Sequence, residues 1–398
     1  MNNGYDNDQN NSQNEKEEIR FTDWEIANTF NRKDAWTPHV DYGTYADSNS
    51  DHNQSFNGQN DKEPHYNEPP VLIDEIKEKK RFSRIGLGYA LFTVISTVAA
   101  LAIQIIVMSV DTAFYNSSLF LNLLSPVALY VFALPVLLIV ISGVDAKRPE
   151  KKKLGFGKWL LFLLVGFGFM YIGAMIGNGV MASLSEMMGY DYSNALESLI
   201  DEDKLWLTAI FTVIVAPVGE ELVFRKLIID RTNKYGGTVC IILSALIFGL
   251  MHGNFYQFFY CFGIGLILGY MYHSTGRILP CILMHATINL FGSVVPTFLT
   301  PVLEALENLD ATDIQGMTEF VMNNLGGVLA ASVFSMFVYA AMALAVILPI
   351  VLRKKIKLGA AEVKLPRGRA FGIIVGGAGM IIMLIVYALE FALNLIPM

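Results

Sequence analysis

Nine runs of apolar residues, each near the roughly 20 residues that a helix needs to cross the hydrocarbon of a bilayer, decide what this chain can be. They fall at 85–110, 119–143, 157–183, 205–227, 236–252, 256–273, 278–298, 328–352 and 370–395. Within lipid every backbone N–H and C=O must find a partner inside the protein, which leaves only helices or closed barrels. Runs this long and unbroken predict helices, so the expected fold class is an all-α polytopic membrane protein with about nine transmembrane helices. Composition agrees, with 53% of the 398 residues apolar and 16% charged. The three runs from 236 to 298 are short and joined by the tight links "HGN" and "HSTGR", so one of them is a candidate re-entrant or sheltered segment.

Loop charge tests the count, because cytoplasmic loops collect Lys and Arg. Beyond residue 75 the basic residues group at Lys77 to Arg84, Lys147 to Lys158, Arg225 to Lys234, Arg277, and Arg353 to Arg369, with Lys204 as the one stray. These groups occupy every second loop, and the intervening loops are acidic. The expectation is an integral membrane protein with a cytoplasmic N-terminus and an external C-terminus, placed in the plasma membrane if the source is bacterial. Residues 1–75 carry 16 acids against 5 bases and are rich in Asn, Gln, Asp and Ser. Such a segment buries too little apolar surface to fold alone and reads as a disordered cytoplasmic tail. The tail's balance of −11 leaves +4 of the total −7 for the remainder, so the membrane part is mildly basic; no nucleic-acid partner is expected. No secretory signal is expected at the N-terminus. The three cysteines, Cys240, Cys261 and Cys281, lie within apolar runs at spacings that fit neither a zinc ribbon nor a disulfide framework, and read as core residues.

Ionisable side chains inside the expected helices are few, and an intramembrane charge is costly enough to mark function by default. They are Glu220 and Glu221 with Arg225 in "APVGEELVFR", His252 in "FGLMH", and His285 in "HATIN", where Asn289 follows four residues later. At about 1.5 Å of rise per residue, Glu220 lies roughly 16 Å below the boundary near Arg231, and His285 and Asn289 about 12 and 18 Å below Arg277. His252, about 20–24 Å in, fits this level only if its helix tilts. Glu221 and Arg225, spaced i and i+4 with the acid first, suit an ion pair on one face. Glu220 then points about 100° away, toward a cavity. Pro217 removes a backbone donor and Gly219 loosens the same turn, so a kink with exposed carbonyls is expected there. Phe248 shares a face with His252 and is expected to wall the pocket. His273, at a helix end beside Arg277, reads as an ordinary interface residue.

A carboxylate beside an imidazole in a partly dry cavity suits the activation of water, and a second His with an Asn suits stabilisation of an oxyanion. Together they hydrolyse an amide. Glu220, His252 and His285 also form a possible zinc ligand set with an open position, although no HExxH helix occurs, and the choice between zinc and a metal-free water stays open.

The ordered motifs EExxxR (Glu220, Glu221, Arg225), FxxxH (Phe248, His252) and HxxxN (His285, Asn289) resemble those of the CPBP family, also called Abi or type II CAAX-protease-like proteins. These are intramembrane proteases related to the eukaryotic prenyl-protein endopeptidase. The resemblance implies that Glu220 is the general base on the attacking water, held with His252. It implies that Glu221 pairs with Arg225 to fix the helix, and that His285 and Asn289 form the oxyanion site. It implies an endopeptidase acting on a membrane-associated protein or peptide, of CAAX type or in peptide maturation. The alternative class is a non-proteolytic membrane immunity or binding protein that keeps the fold. The expected organisation is then a tail (1–75), N-terminal transmembrane helices (76–204), a CAAX-protease-like catalytic core (205–298), and an external acidic loop with two C-terminal transmembrane helices (299–398).

Overall fold

The computed structural model describes residues 73–190, 192, 205–310 and 312–396. The tail expected at 1–75 lies almost wholly outside the described residues, as does much of the acidic loop before residue 205. Among the described residues all regular structure is helical. Nine principal helices follow in chain order: α1 (Glu75–Val110), α2 (Ser118–Ile141), α3 (Phe156–Met188), α4 (Leu205–Tyr235), α5 (Gly237–Leu250), α6 (Phe255–Thr275), α7 (Ile278–Thr297), α8 (Leu325–Val351) and α9 (Ala378–Leu393). Seven are long and apolar enough to cross a bilayer, so the expected nine crossings are met in full by seven. The exceptions are α5 and α9, whose 14 and 16 residues span only about 21 and 24 Å.

Glycines cause both shortfalls. The chain enters α5 through Gly236 at φ 90° and leaves it through a turn containing Gly253 at φ 67°, a conformation that costs glycine little. The run at 370–395 is interrupted by "VGGAG", which ends the short helix Ala370–Ile374 and starts α9 afresh. This break lets backbone meet backbone. A Cβ on Gly379 would lie 1.9 Å from the Ser83 carbonyl oxygen, and one on Gly86 would lie 2.5 Å from the Met380 Cα. Ser83 Oγ accepts from the Gly379 amide at 2.8 Å, satisfying one of the free donors at the start of α9.

Two buried apolar clusters hold the bundle together. One takes Phe82 and Tyr89 from α1, Leu137 from α2, Phe224 from α4, Phe248 from α5 and Met383 from α9. The other takes Phe167 from α3, Ile229 from α4, Leu268 from α6, Met284 from α7 and Ala341 from α8. Helix α4 contributes to both and so lies between them. Large apolar side chains such as Val98, Ile105, Met336 and Ile350 remain exposed along the spans, a surface suited to lipid.

Helix α4 is not uniform. It widens into π-turns at Ile210–Val215 and at Glu221–Lys226, on either side of the expected kink at Pro217. In the first turn the Ala216 amide donates five residues back to Phe211, so the next donor in that register, toward the Thr212 carbonyl, belongs to residue 217. As proline, residue 217 has no N–H. Asn289 Nδ2 supplies the missing donor from α7, at 2.9 Å from Thr212 O. In the second turn Tyr89 Oη donates to Val223 O at 2.6 Å and Ser244 Oγ to Phe224 O at 2.7 Å. Three neighbouring helices therefore hold α4 by its own backbone.

The basic loops gather at one end of the bundle, bridged by acids from different segments. Arg81 pairs with Asp145, Lys147 with Glu362, Arg148 with Asp230, Lys234 with Glu78 and Arg369 with Glu75. These pairs draw four of the five basic segments to one end of the bundle.

Removing the buried Tyr89 hydroxyl leaves Val223 O without its side-chain donor, at a cost of about 1–3 kcal/mol. Tyr89→Phe is therefore expected to lower the unfolding free energy in mixed micelles by that amount, read from denaturant titration. An unchanged midpoint would show that this tie contributes nothing.

Candidate active site

Three helices bring the motif residues together. Helix α4 carries Glu220, Glu221 and Arg225, α7 carries His285 and Asn289, and the chain leaving α5 carries His252. His252 lies just past the end of its helix, in the turn 251–253, where a helical position was expected. That turn reverses the chain and lets the imidazole fold back, with Nδ1 2.8 Å from the Phe248 carbonyl oxygen.

Glu221 and Arg225 have fully buried side chains, with Arg225 Nε 3.4 Å from Glu221 Oε2. The contact is ionic without hydrogen-bond direction: Glu221 Oε2 and the three Arg225 nitrogens have no hydrogen-bond partner among the described residues. The guanidinium instead lies over the Phe248 ring, 4.2 Å from its centroid. Such cation–π contacts count for most when desolvated. The second Glu221 oxygen is 2.9 Å from His285 Nδ1. An ionised carboxylate only accepts, so Nδ1 carries a hydrogen in this pair. On the other side of the ring, Nε2 is 3.7 Å from Glu220 Oε2, a separation at which both can touch one water. His285 thus flanks the Glu220 carboxylate, and His252 lines the same cavity.

Phe248 organises the rest. Its ring meets His252 at 5.1 Å and His285 at 5.8 Å, nearly edge-on to both, while supporting Arg225. His252 donates from Nδ1 to Phe248 O, so Nε2 is left as acceptor, 3.4 Å from the Cys261 thiol. Glu220, His252, His285 and Asn289 all line one cavity of about 460 Å³. Glu221 and Arg225 stand behind it. The depth mismatch expected for His252 is resolved by the turn that returns it to the cavity.

Tyr130, from a π-turn in α2, also lines this cavity. A Cβ on Gly219 would lie 2.1 Å from the Tyr130 ring, so that glycine admits the phenol beside Glu220 and does more than loosen its helix. Tyr130 lies outside every motif, and a lone Tyr in an apolar run carries no chemical signature. Cys261, which caps His252, was read as a core residue; all three cysteines are indeed buried and free. His273, read as an interface residue, meets the Leu358 carbonyl at 3.0 Å.

Among the described residues no three or more His, Cys, Asp or Glu side chains are placed to hold a metal ion. His252 Nε2 is turned to Cys261, and His285 Nδ1 to Glu221. As arranged among the described residues, Glu220, His252 and His285 do not fit a common ion.

Residues 202–291 match the family described as type II CAAX prenyl endopeptidase Rce1-like, a segment that takes in all seven motif residues. Over this segment the polytopic helical bundle is similar to the Rce1-like CAAX proteases, a class of membrane proteases. It is 28% identical over 177 residues to the membrane-embedded CAAX protease MroQ of Staphylococcus aureus (strain USA300), covering 42% of this chain and 71% of that one. The UPF0177 protein YbdI of Lactococcus lactis subsp. lactis (strain IL1403) is 27% identical over 178 residues, 42% of this chain and 91% of its own. YdiL of Bacillus subtilis (strain 168), named among membrane peptidases, is 26% identical over 186 residues, 45% of this chain and 72% of its own. No solved structure matches the chain.

Arg225→Ala leaves the Glu221 carboxylate buried without its counter-charge, which typically costs about 3–5 kcal/mol. The double variant Glu221→Gln with Arg225→Met removes both charges and is expected to recover most of that loss. Equilibrium unfolding of the two variants checks this; equal losses would show that the charges do not act as a pair.

Proposed function

We propose that the chain is an intramembrane endopeptidase that hydrolyses a peptide bond of a membrane-associated protein or peptide, with Glu220 activating the water. The observation that carries this reading is the convergence of Glu220, His252, His285 and Asn289 on one cavity. A base and oxyanion donors act only when aimed at the same small volume.

In the proposed reaction Glu220 removes a proton from a water held between its carboxylate and the His285 ring. The water oxygen bonds to the substrate carbonyl carbon, and the carbonyl oxygen takes up negative charge. Asn289 spends one amide hydrogen on Thr212 O and keeps the second for that oxygen. With a proton on each ring nitrogen, His285 donates from Nε2 to that oxygen while Glu221 accepts from Nδ1 and orients the ring. His252 forms the adjoining polar wall. Glu220 then returns its proton to the leaving amine as the C–N bond breaks, giving a carboxylic acid and an amine. Glu221 and Arg225 touch no substrate and serve as positioning residues. MroQ is named a CAAX protease, which favours a substrate cleaved near a membrane-anchored end.

Glu220→Gln is nearly isosteric and leaves the buried Glu221–Arg225 pair in place, so the variant is expected to fold normally while peptide cleavage falls by about 10²–10⁴-fold. Cleavage at the wild-type rate would overturn the assignment and favour a membrane binding or immunity protein that keeps the fold. The reaction is proposed to be metal-free. Activity of the purified protein is expected to survive chelators, with no stoichiometric metal in elemental analysis; inhibition reversed by added zinc would reinstate the ion.

A further inference from the structure

A second cavity, of about 510 Å³, opens at the end of the bundle where the basic loops gather, away from the catalytic residues. Six cations line it: Arg148, Lys151, Lys152, Lys153, Lys226 and Arg277. Two acids answer three of them. Asp230 is shared by Lys226 at 3.0 Å and Arg148 at 3.7 Å, and Glu150 pairs with Lys152 at 3.0 Å. Lys151, Lys153 and Arg277 form no ion pair among the described residues. Like charges gathered around a concave surface repel one another, and a bound anion relieves that repulsion.

The backbone shapes the cavity. The loop after α2 is pinned to the end of α6 by Lys152 N–H donating to Thr275 O at 2.8 Å. Gly276, at φ 58°, lets the loop pass so close that a Cβ would lie 2.4 Å from Pro149 O. Helix α7 begins at the cavity wall with Ile278 and Leu279, and its N-cap Arg277 makes no side-chain capping bond. Its first amides therefore add the positive end of a helix to the six side chains.

What lies beside the cations identifies the occupant. Leu279 and Leu283 of α7 and Phe156 and Leu160 of α3 are exposed, at 60%, 53%, 74% and 40%. The two helices are joined here by Trp159 Nε1–H donating to Pro280 O at 3.0 Å, with Phe156 stacked on Trp159. A soluble anion has no use for this apolar flank, whereas a lipid needs both parts.

We propose that this cavity is a binding site for the phosphate-bearing headgroup of an anionic phospholipid, whose acyl chains lie along the exposed leucines and phenylalanine of α3 and α7. The cations stand at the end that loop charge assigns to the cytoplasm, where anionic lipid faces the protein. Lys226 follows the Glu220–Arg225 segment on α4 and Arg277 caps the helix of His285, so one lipid touches both catalytic helices. The proposal itself concerns binding and stands whether or not Glu220 is the base.

The test uses the full chain in neutral detergent, read by thermal unfolding and by native mass spectrometry of retained lipid. Dioleoyl phosphatidylglycerol is expected to raise Tm by about 3 °C or more at saturation, with phosphatidylcholine and inorganic phosphate at the same concentration giving no comparable rise. The variant Lys151→Ala, Lys153→Ala, Arg277→Ala changes three exposed side chains. It is expected to keep the wild-type Tm in phosphatidylcholine while retaining phosphatidylglycerol roughly a hundredfold more weakly. Should that variant lose stability in phosphatidylcholine, the milder Lys151→Gln, Lys153→Gln pair serves in its place. Wild-type retention of phosphatidylglycerol by a folded variant would overturn the site. A shift reproduced by inorganic phosphate alone, or by a glutamate-rich peptide and not by lipid, would overturn the lipid as its occupant.

Discussion

An ion pair taken wholly out of water, Glu221 with Arg225, is the constraint around which the catalytic region is built. Desolvating two charges is expensive, and their mutual attraction offsets the cost only with further polar or π contacts in support. Here one carboxylate oxygen faces the arginine and the other holds His285, while the guanidinium rests on Phe248. That ring in turn fixes the edges of both imidazoles. The pair therefore specifies where three helices sit relative to one another, and Glu220 is left at the margin of this buried set with its carboxylate facing the cavity. Chemistry and architecture meet at adjacent residues on one helix.

Much of this was legible in the sequence because intramembrane polar residues are rare and loop charge is directional. The i and i+4 spacing of Glu221 and Arg225 gave their pairing, and the rotation between neighbouring residues gave Glu220 its separate outlook. Other features depend on contacts between distant segments. Tyr130 enters the cavity only because Gly219 lacks a side chain. The tie from Asn289 to Thr212 depends on a π-turn, and nothing in an apolar run announces one. The shortness of α5 was visible; the return of His252 beyond its end was not, because it depends on a turn that places Gly253 at positive φ. The two helices that fall short of a full crossing differ in the same way. The glycines of "VGGAG" were plain, but their purpose, a backbone contact with α1, appears only in three dimensions.

The structure divides labour between its two ends and its middle. The middle carries the costly polar set, held by backbone carbonyls that accept from Tyr89, Ser244 and Asn289. The basic end is held by ion pairs between loops far apart in sequence, several of them exposed and so individually weak. Apolar packing joins these parts, with α4 common to both clusters.

The two π-turns of α4 carry a lesson for anyone who wishes to transplant this site. Each widened turn fits an extra residue, which amounts to about 100° of rotation relative to an ideal helix. Residues 205–209 and 227–232 therefore present faces that are not simple continuations of the face bearing Glu220. Copying "GEELVFR" onto a straight designed helix would keep the letters and lose the angular phase between carboxylate, guanidinium and lipid-facing surface. The portable unit is the helix with its two dislocations, together with the tyrosine, serine and asparagine that keep them from annealing.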